Sequence, residues 1–148
     1  MKMKVFKTRS NAKMPVRAHA TDAGMDLFFS PEDGKALALE PSMSYLLQTG
    51  LKIQVPENYV LEIKNKSGIA TKKQLVVGAC VVDSGYDGEV FVNLHNIGFQ
   101  IQILEPGQKI AQAVLMPVLL PELVEIFEDS VYETVTPRGS GALGSTGA

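Results

Sequence analysis

The sequence predicts an all-β fold, a sandwich or barrel built from many short strands. Short runs rich in Val, Ile and Leu recur along the chain, and thirteen glycines and eight prolines interrupt them at close intervals. Strands with turn signals at this spacing are the mark of a sandwich or barrel. Where the periodicity is clean it is two: Phe99, Ile101 and Ile103 share a face opposite Gln100 and Gln102.

The elements follow in order. Lys4 to Thr8 suits a first strand. Asp26 to Phe29 is a second, stopped by Ser30-Pro31, and Ala36 to Leu39 a third, ended by Glu40-Pro41. Ser44 to Gln48 and Leu51 to Val55 flank a Thr49-Gly50 turn. Tyr59 to Lys64 alternates, with Val60 and Ile63 loosely in phase. One modest helix is expected over Gly68 to Lys73, too short to carry the fold. An apolar run, Leu75 to Val82, then reaches Asp83, and Ser84-Gly85-Tyr86-Asp87-Gly88 turns the chain. Beyond it Glu89 to His95 alternates, with Val90, Val92 and Leu94 on one face. This reads as two antiparallel strands joined by a glycine-containing hairpin loop. Ile110 to Pro117 is the last apolar run, and no internal repeat is present.

Composition bounds the function. A chain of 148 residues is one domain by length and long enough to bury a core. Hydrophobic content of 45% with 20% charged residues is that of a soluble globular protein. A net charge of −2 argues against a general nucleic-acid-binding surface, but leaves room for one small anionic ligand. The single cysteine, Cys80, cannot form an intrachain disulfide. The N-terminus lacks an apolar signal region and no run approaches membrane-spanning length, so a cytoplasmic protein without membrane partners is expected, in the host cytoplasm if it is viral. After Tyr132 the composition changes: from Arg138 on there are four glycines and one large apolar residue, Leu143. Residues 1–133 are therefore expected to form the β domain and 134–148 a mobile tail.

Five stretches carry candidate chemistry. In the hairpin, Asp83 and Tyr86 sit together within reach of a ligand, although in isolation a surface hairpin with a solvated Asp is the better reading. In Ala20-Thr21-Asp22-Ala23-Gly24-Met25-Asp26-Leu27, two carboxylates flank a glycine, as turn former and strand-edge residue or as part of a site. Lys66-Ser67-Gly68 offers a cation, a hydroxyl and a glycine before a helical turn, which suits a phosphate or simply an N-cap serine. Gln112, after the Pro106-Gly107 turn, bonds a phosphate oxygen or decorates a strand. In the tail, Arg138 has the planar fork that grips phosphate, and the glycines let backbone N–H groups approach it. His19, in a loop, and His95, on a strand's polar face, are given no catalytic role.

Together and in this order, the five stretches resemble the motifs of the trimeric deoxyuridine triphosphatases (dUTPases), and the resemblance runs from residue 20 to the C-terminus. It implies a jelly-roll-like β-barrel, a homotrimer with active sites shared between subunits, and hydrolysis of dUTP to dUMP and pyrophosphate with Mg²⁺ on the triphosphate. At the matching positions, it implies that Asp83 is the general base activating a water against the α-phosphorus. Tyr86 lies beneath the deoxyribose and leaves no room for a 2′-hydroxyl. Main-chain groups around Ala79 to Val81 and Val90 to Val92 read the uracil edge, with Cys80, Val82 and Phe91 in that wall. Lys66, Ser67, Gly68 and Gln112 face the phosphates. Arg138 clamps the γ-phosphate, and Leu143, Gly144, Ser145 and Thr146 close over the nucleotide. Asp26 touches the metal through water.

Three positions depart from the family pattern. Lys66 replaces the usual Arg, keeping charge but losing the fork. Leu143 replaces a Phe, and covers the base without stacking on it. Cys80 replaces a small Gly, and reads best as a small buried hydrophobe. Two rival readings are a dCTP deaminase of the same fold and a dUTP-sensing regulatory binding protein. The Asp-x-x-Tyr pattern at Asp83 and Tyr86, with the Gly-Ser-Thr-Gly ending, favours the hydrolase over the deaminase.

Overall fold

The computed structural model describes residues 1–128 and 131–142. The chain is all-β and jelly-roll-like, with eleven strands and one short helix among the described residues. One sheet has four antiparallel strands, β2 (Met25–Phe28), β11 (Lys109–Pro117), β6 (Tyr59–Lys64) and β8 (Val81–Asp83), in that spatial order. A second has three, β4 (Ser44–Gln48), β9 (Phe91–Asn96) and β7 (Leu75–Val77). Two ribbons complete it: β1 (Val5–Lys7) with β5 (Leu51–Ile53), and β3 (Leu37–Leu39) with β10 (Gln102–Leu104). The four sheets do not close into one continuous barrel, but they surround one apolar core.

Alternation along each strand fills that core. On β9, Val92 and Leu94 point inward, as does Val90 just before it, while Phe91, Asn93 and His95 lie half-buried on the other side. Leu61 and Ile63 of β6 and Ile110, Ala111 and Ala113 of β11 meet them. Each fully buried Leu or Ile contributes roughly 2 kcal/mol of transfer free energy.

Three expectations need correction. The apolar run from Leu75 to Val82 is two strands, broken at Gly78–Cys80. β7 pairs with β9 (Leu75↔Asn96, Val77↔Leu94), whereas β8 pairs with β6 (Val60↔Asp83, Glu62↔Val81). The expected hairpin is thus only a stem of β7 and β9. Its last rung is the Gly78 N–H donating to the Asn93 carbonyl at 3.0 Å, and above that rung the arms join different sheets. Second, Phe99 to Ile103 is not one strand: β10 begins only at Gln102, and Phe99, Ile101 and Ile103 are exposed, Phe99 to 93%. Leu104 supplies the inward contact. Third, the helix α1 (Ser67–Lys73) has Lys66 at its N-cap with no side-chain capping bond, so Ser67 is not the cap. Its C-cap, Gln74, is left-handed at φ 53°.

After β11, the Val118 N–H donates to the Asn58 carbonyl at 2.9 Å. Residues 119–128 then have no regular secondary structure and expose Leu119, Leu120, Leu123, Val124 and Phe127. Among the described residues, no helix is long and apolar enough to cross a membrane. Leu143, Gly144, Ser145 and Thr146 lie outside the described residues.

One buried polar side chain staples the layers. Asn96 is 1% exposed; its Nδ2 donates to the Leu39 and Gln100 carbonyls, both at 2.8 Å, and its Oδ1 accepts the Gly98 N–H at 3.0 Å. Asn96→Ala leaves these groups buried without partners. It is expected to cost about 3 kcal/mol, read as a lower urea midpoint at fixed protein concentration. A midpoint equal to wild type would show that the staple contributes nothing.

Candidate active site

The forked hairpin makes a cleft. On one arm, the Ala79 N–H donates to Asn93 Oδ1 at 3.1 Å and the Cys80 carbonyl accepts the Ile63 N–H at 2.7 Å. Asn93 is itself fixed, its Nδ2 donating to Ser44 Oγ at 2.8 Å and to the Tyr45 carbonyl at 3.2 Å. On the other arm, the Val90 N–H donates to the Leu51 carbonyl at 2.8 Å, and the buried Thr49 hydroxyl donates to the Val90 carbonyl at 2.5 Å. Val90 therefore has neither main-chain group left for a ligand. Between Ala79–Asp83 and Glu89–Phe91 lies a space of about 210 Å³, lined also by Leu46, Ile63, Tyr86 and Asn93. That is small for a whole nucleotide and suits one flat ring. Cys80 is half-buried in its wall, packed against the core, with Val82 and Phe91.

The rim carries Asp83 and Tyr86. The Tyr86 N–H donates to the Asp83 carbonyl at 3.3 Å, and Gly85 between them has φ +88°, which is the type II turn that needs glycine at its third position. The Asp83 side chain is exposed. The Tyr86 ring folds back over Gly88, where a Cβ would collide with it, and its hydroxyl donates to the Glu89 carbonyl at 2.9 Å. A larger groove of about 710 Å³ lies beyond the turn, between Lys4–Phe6 and Val55–Glu57, and shares Tyr86. The smaller cleft lies where the two strand arms diverge, with Asp83 at its rim.

A second group of polar side chains gathers around Asp26. Asp26 is 5% exposed; Lys66 Nζ lies 2.8 Å from its Oδ1 and Lys109 Nζ 2.7 Å from its Oδ2. Burial works to raise the Asp26 pKa, but the two ammonium groups outweigh it and hold the carboxyl below its usual value. Gln112 lies opposite Asp26 on the neighbouring strand, and its Nε2 donates to the Asn65 carbonyl at 2.9 Å. Gly24 admits that side chain, since a Cβ there would strike the Gln112 amide. Ser67 and Gly68 follow Lys66 at the start of α1.

The sequence-predicted residues thus fall into two sets within one chain. Asp83, Cys80, Val82, Tyr86 and Phe91 surround the fork, and Asp26, Lys66, Ser67, Gly68 and Gln112 surround the buried carboxylate. β6 separates them: Asp83 pairs beside Val60 and Gln112 beside Lys64. Four residues of strand are about 13 Å. Arg138 makes a local bond, its Nε donating to the Gly141 carbonyl at 3.1 Å. Lys109 and Asn93 were missed from sequence. Lys109 lies three residues before Gln112 but stands opposite Phe28 in the β11–β2 register, and no sequence pattern shows that its ammonium reaches Asp26. Asn93 gave no signal, because its role depends on where the fork opens.

A sequence model of the dUTPase family matches residues 10–147. The deoxyuridine 5'-triphosphate nucleotidohydrolase of Clostridium novyi (strain NT) is 40% identical, covering 99% of both chains. That of Gloeothece citriformis (strain PCC 7424) is also 40% identical, covering 99% of this chain and 97% of the relative. Among solved structures, a mutant Staphylococcus bacteriophage 80alpha dUTPase with dUpNHpp is similar at a TM-score of 0.85 and 28% identity, with 99% of each chain covered. A mutant dUTPase from phage phi11 of S. aureus, described for its structural Mg(II) ion, is similar at 0.78 and 28%, covering 90% of this chain and 100% of that one.

The lysine-flanked carboxylate sets an acid limit on stability. A folded-state pKa below the unfolded value, about 3.9, gives stabilisation that is full above that value and fades as pH falls through the folded pKa. Asp26→Asn is expected to cost about 2 kcal/mol at pH 7 and to flatten the stability profile below about pH 4. Parallel urea titrations from pH 2 to 7 check this; identical acid slopes in the two proteins would contradict it.

Proposed function

The chain belongs to the dUTPase family, and from that premise we propose that it hydrolyses dUTP to dUMP and pyrophosphate, as a dUTP diphosphatase. The observation that carries the reading is the forked hairpin, with its ring-sized cleft, its main-chain walls and a carboxylate at its rim. Uracil enters the cleft and is read by backbone groups whose positions the two sheets fix. Cytosine presents the opposite donor and acceptor pattern and leaves buried groups unpaired, which is costly. The Tyr86 ring lies under the sugar and excludes a 2′-hydroxyl.

Asp83 then acts as general base. It takes a proton from a water positioned in line with the α-phosphorus, the water oxygen bonds to that phosphorus, and the bond to the bridging oxygen breaks. Pyrophosphate leaves, and the water's proton resides on Asp83. Lys66, Ser67, Gly68 and Gln112 hold the phosphate chain, and Arg138 grips its far end while Leu143, Gly144 and Ser145 close over the nucleotide. In this reading residues 1–133 are the β domain and 134–148 the closing tail.

Magnesium fits this chain only as part of the substrate. Among the described residues, no three His, Cys, Asp or Glu side chains are grouped to hold a metal, and Asp26 is already flanked by two lysines. The ion would be held by triphosphate oxygens and water, with Asp26 an outer contact. When bound, it neutralises phosphate charge as pyrophosphate departs.

The separation along β6 supports a homotrimer with shared sites. Asp83 and the Gln112 end of the sheet are too far apart in one chain to serve one α-phosphate. A neighbouring subunit therefore supplies the phosphate-binding set to each fork. A cytoplasmic location fits a nucleotide substrate.

Two measurements test this. Asp83→Asn is expected to lower pyrophosphate release from dUTP by about 10³-fold while dUTP still binds, assayed in parallel with dCTP, dTTP and UTP. Ammonia released from dCTP would instead mark a deaminase. For the shared sites, Asp83→Asn and Ser67→Ala chains refolded together are expected to regain activity absent from either alone, because some mixed trimers pair an intact fork with an intact phosphate set. No recovery in trimers shown to be mixed would place both sets in one subunit.

A further inference from the structure

Resting on that hydrolase reading, we propose that the Arg9–Glu89 ion pair is a positioning device for sugar selectivity, holding Tyr86 where a 2′-hydroxyl cannot fit. Arg9 lies far from the five motif stretches in sequence, in the segment after β1. Its Nη1 and Nη2 donate to Glu89 Oε1 and Oε2 at 3.0 and 2.5 Å, and Nη1 also donates to the Ser30 carbonyl at 2.8 Å. The Gly50 N–H adds a third bond to the Glu89 carboxylate, donating to Oε1 at 2.8 Å. The two side chains are only 17% and 14% exposed, so water does not compete freely for them. Gly50 has φ +68°, and a Cβ there would lie 2.6 Å from Ala12 Cβ and 3.2 Å from Arg9 Cγ. That turn is built to let the arginine stem pass.

The carboxylate of Glu89 is therefore fixed from two loops, and its main chain carries the consequence. The Glu89 carbonyl accepts the Tyr86 hydroxyl at 2.9 Å, and the next residue, Val90, has both main-chain groups bound by Leu51 and Thr49. Tyr86 is itself 48% exposed, and its hydroxyl bond orients the ring. Steric exclusion works only while the ring stays in place. A bidentate pair gives that geometric fixity, which a lysine's point charge does not. A buried ion pair is in general weak evidence for added stability. Here its product is the position of one carbonyl.

The test compares kcat/KM for dUTP and UTP in wild type, Arg9→Lys, Glu89→Gln, Tyr86→Phe and the Arg9→Lys/Tyr86→Phe double variant, with thermal unfolding of each. The conservative substitutions keep volume, and Gln keeps an acceptor for Gly50, so these proteins fold. The dUTP:UTP ratio is expected to fall about tenfold in each single variant, and no further in the double, because all act through one ring. An unchanged ratio beside a lowered Tm, or losses that multiply in the double, would overturn the positioning role and leave the hydrolase reading intact. A wild-type protein that turns over neither nucleotide would remove both.

Discussion

Above Gly78, two strands that start as a hairpin must part. β7 and β9 are hydrogen-bonded through the Gly78–Asn93 rung, and then one arm joins β6 while the other stays with β4. A strand cannot belong fully to two sheets, so the divergence leaves a cleft between arms that are each rigidly held. The Ala79 N–H goes to Asn93, the Cys80 carbonyl to β6, and Val90 to the Thr49–Leu51 turn. A base-sized space with fixed main-chain walls follows from sheet topology, not from any one polar side chain. A site on strands is more exact than one on loops, which is what discrimination between similar bases requires.

The electrostatics are arranged separately. Asp26 keeps two lysines beside the proposed phosphate-binding set, and the pair of ammonium groups offsets the cost of burying its charge. Lys66, standing where the family resembled here has an arginine, reaches a single carboxylate oxygen, and Lys109 takes the other. The proposed trimer joins this set to the fork of a neighbouring subunit.

Much of this was legible in sequence. Strand positions were, because glycine and proline punctuate them and because Val90, Val92 and Leu94 share an inward face; on β6 the sequence set Val60 beside Ile63, whereas the buried face is Leu61 and Ile63. The family motifs marked Asp26, Lys66, Ser67, Asp83 and Gln112 before their surroundings were known. Pairing was not legible. Leu75 to Val82 reads as one apolar run, and no local pattern says that β8 leaves for β6, since that choice is made by residues far away in the chain. The Phe99–Ile103 alternation says which residues share a face and not which face meets the core, and in the structure that face is exposed. Arg9–Glu89 and Asn93 were invisible for the same reason: each contact spans a sequence gap that no short motif records.

The most direct test is a crystal structure with Mg²⁺ and a non-hydrolysable dUTP analogue. The account predicts the uracil ring between Ala79–Asp83 and Glu89–Phe91, with Tyr86 beneath the sugar and the α-phosphorus near Asp83. A base bound instead in the larger groove, between Lys4–Phe6 and Val55–Glu57, would contradict it.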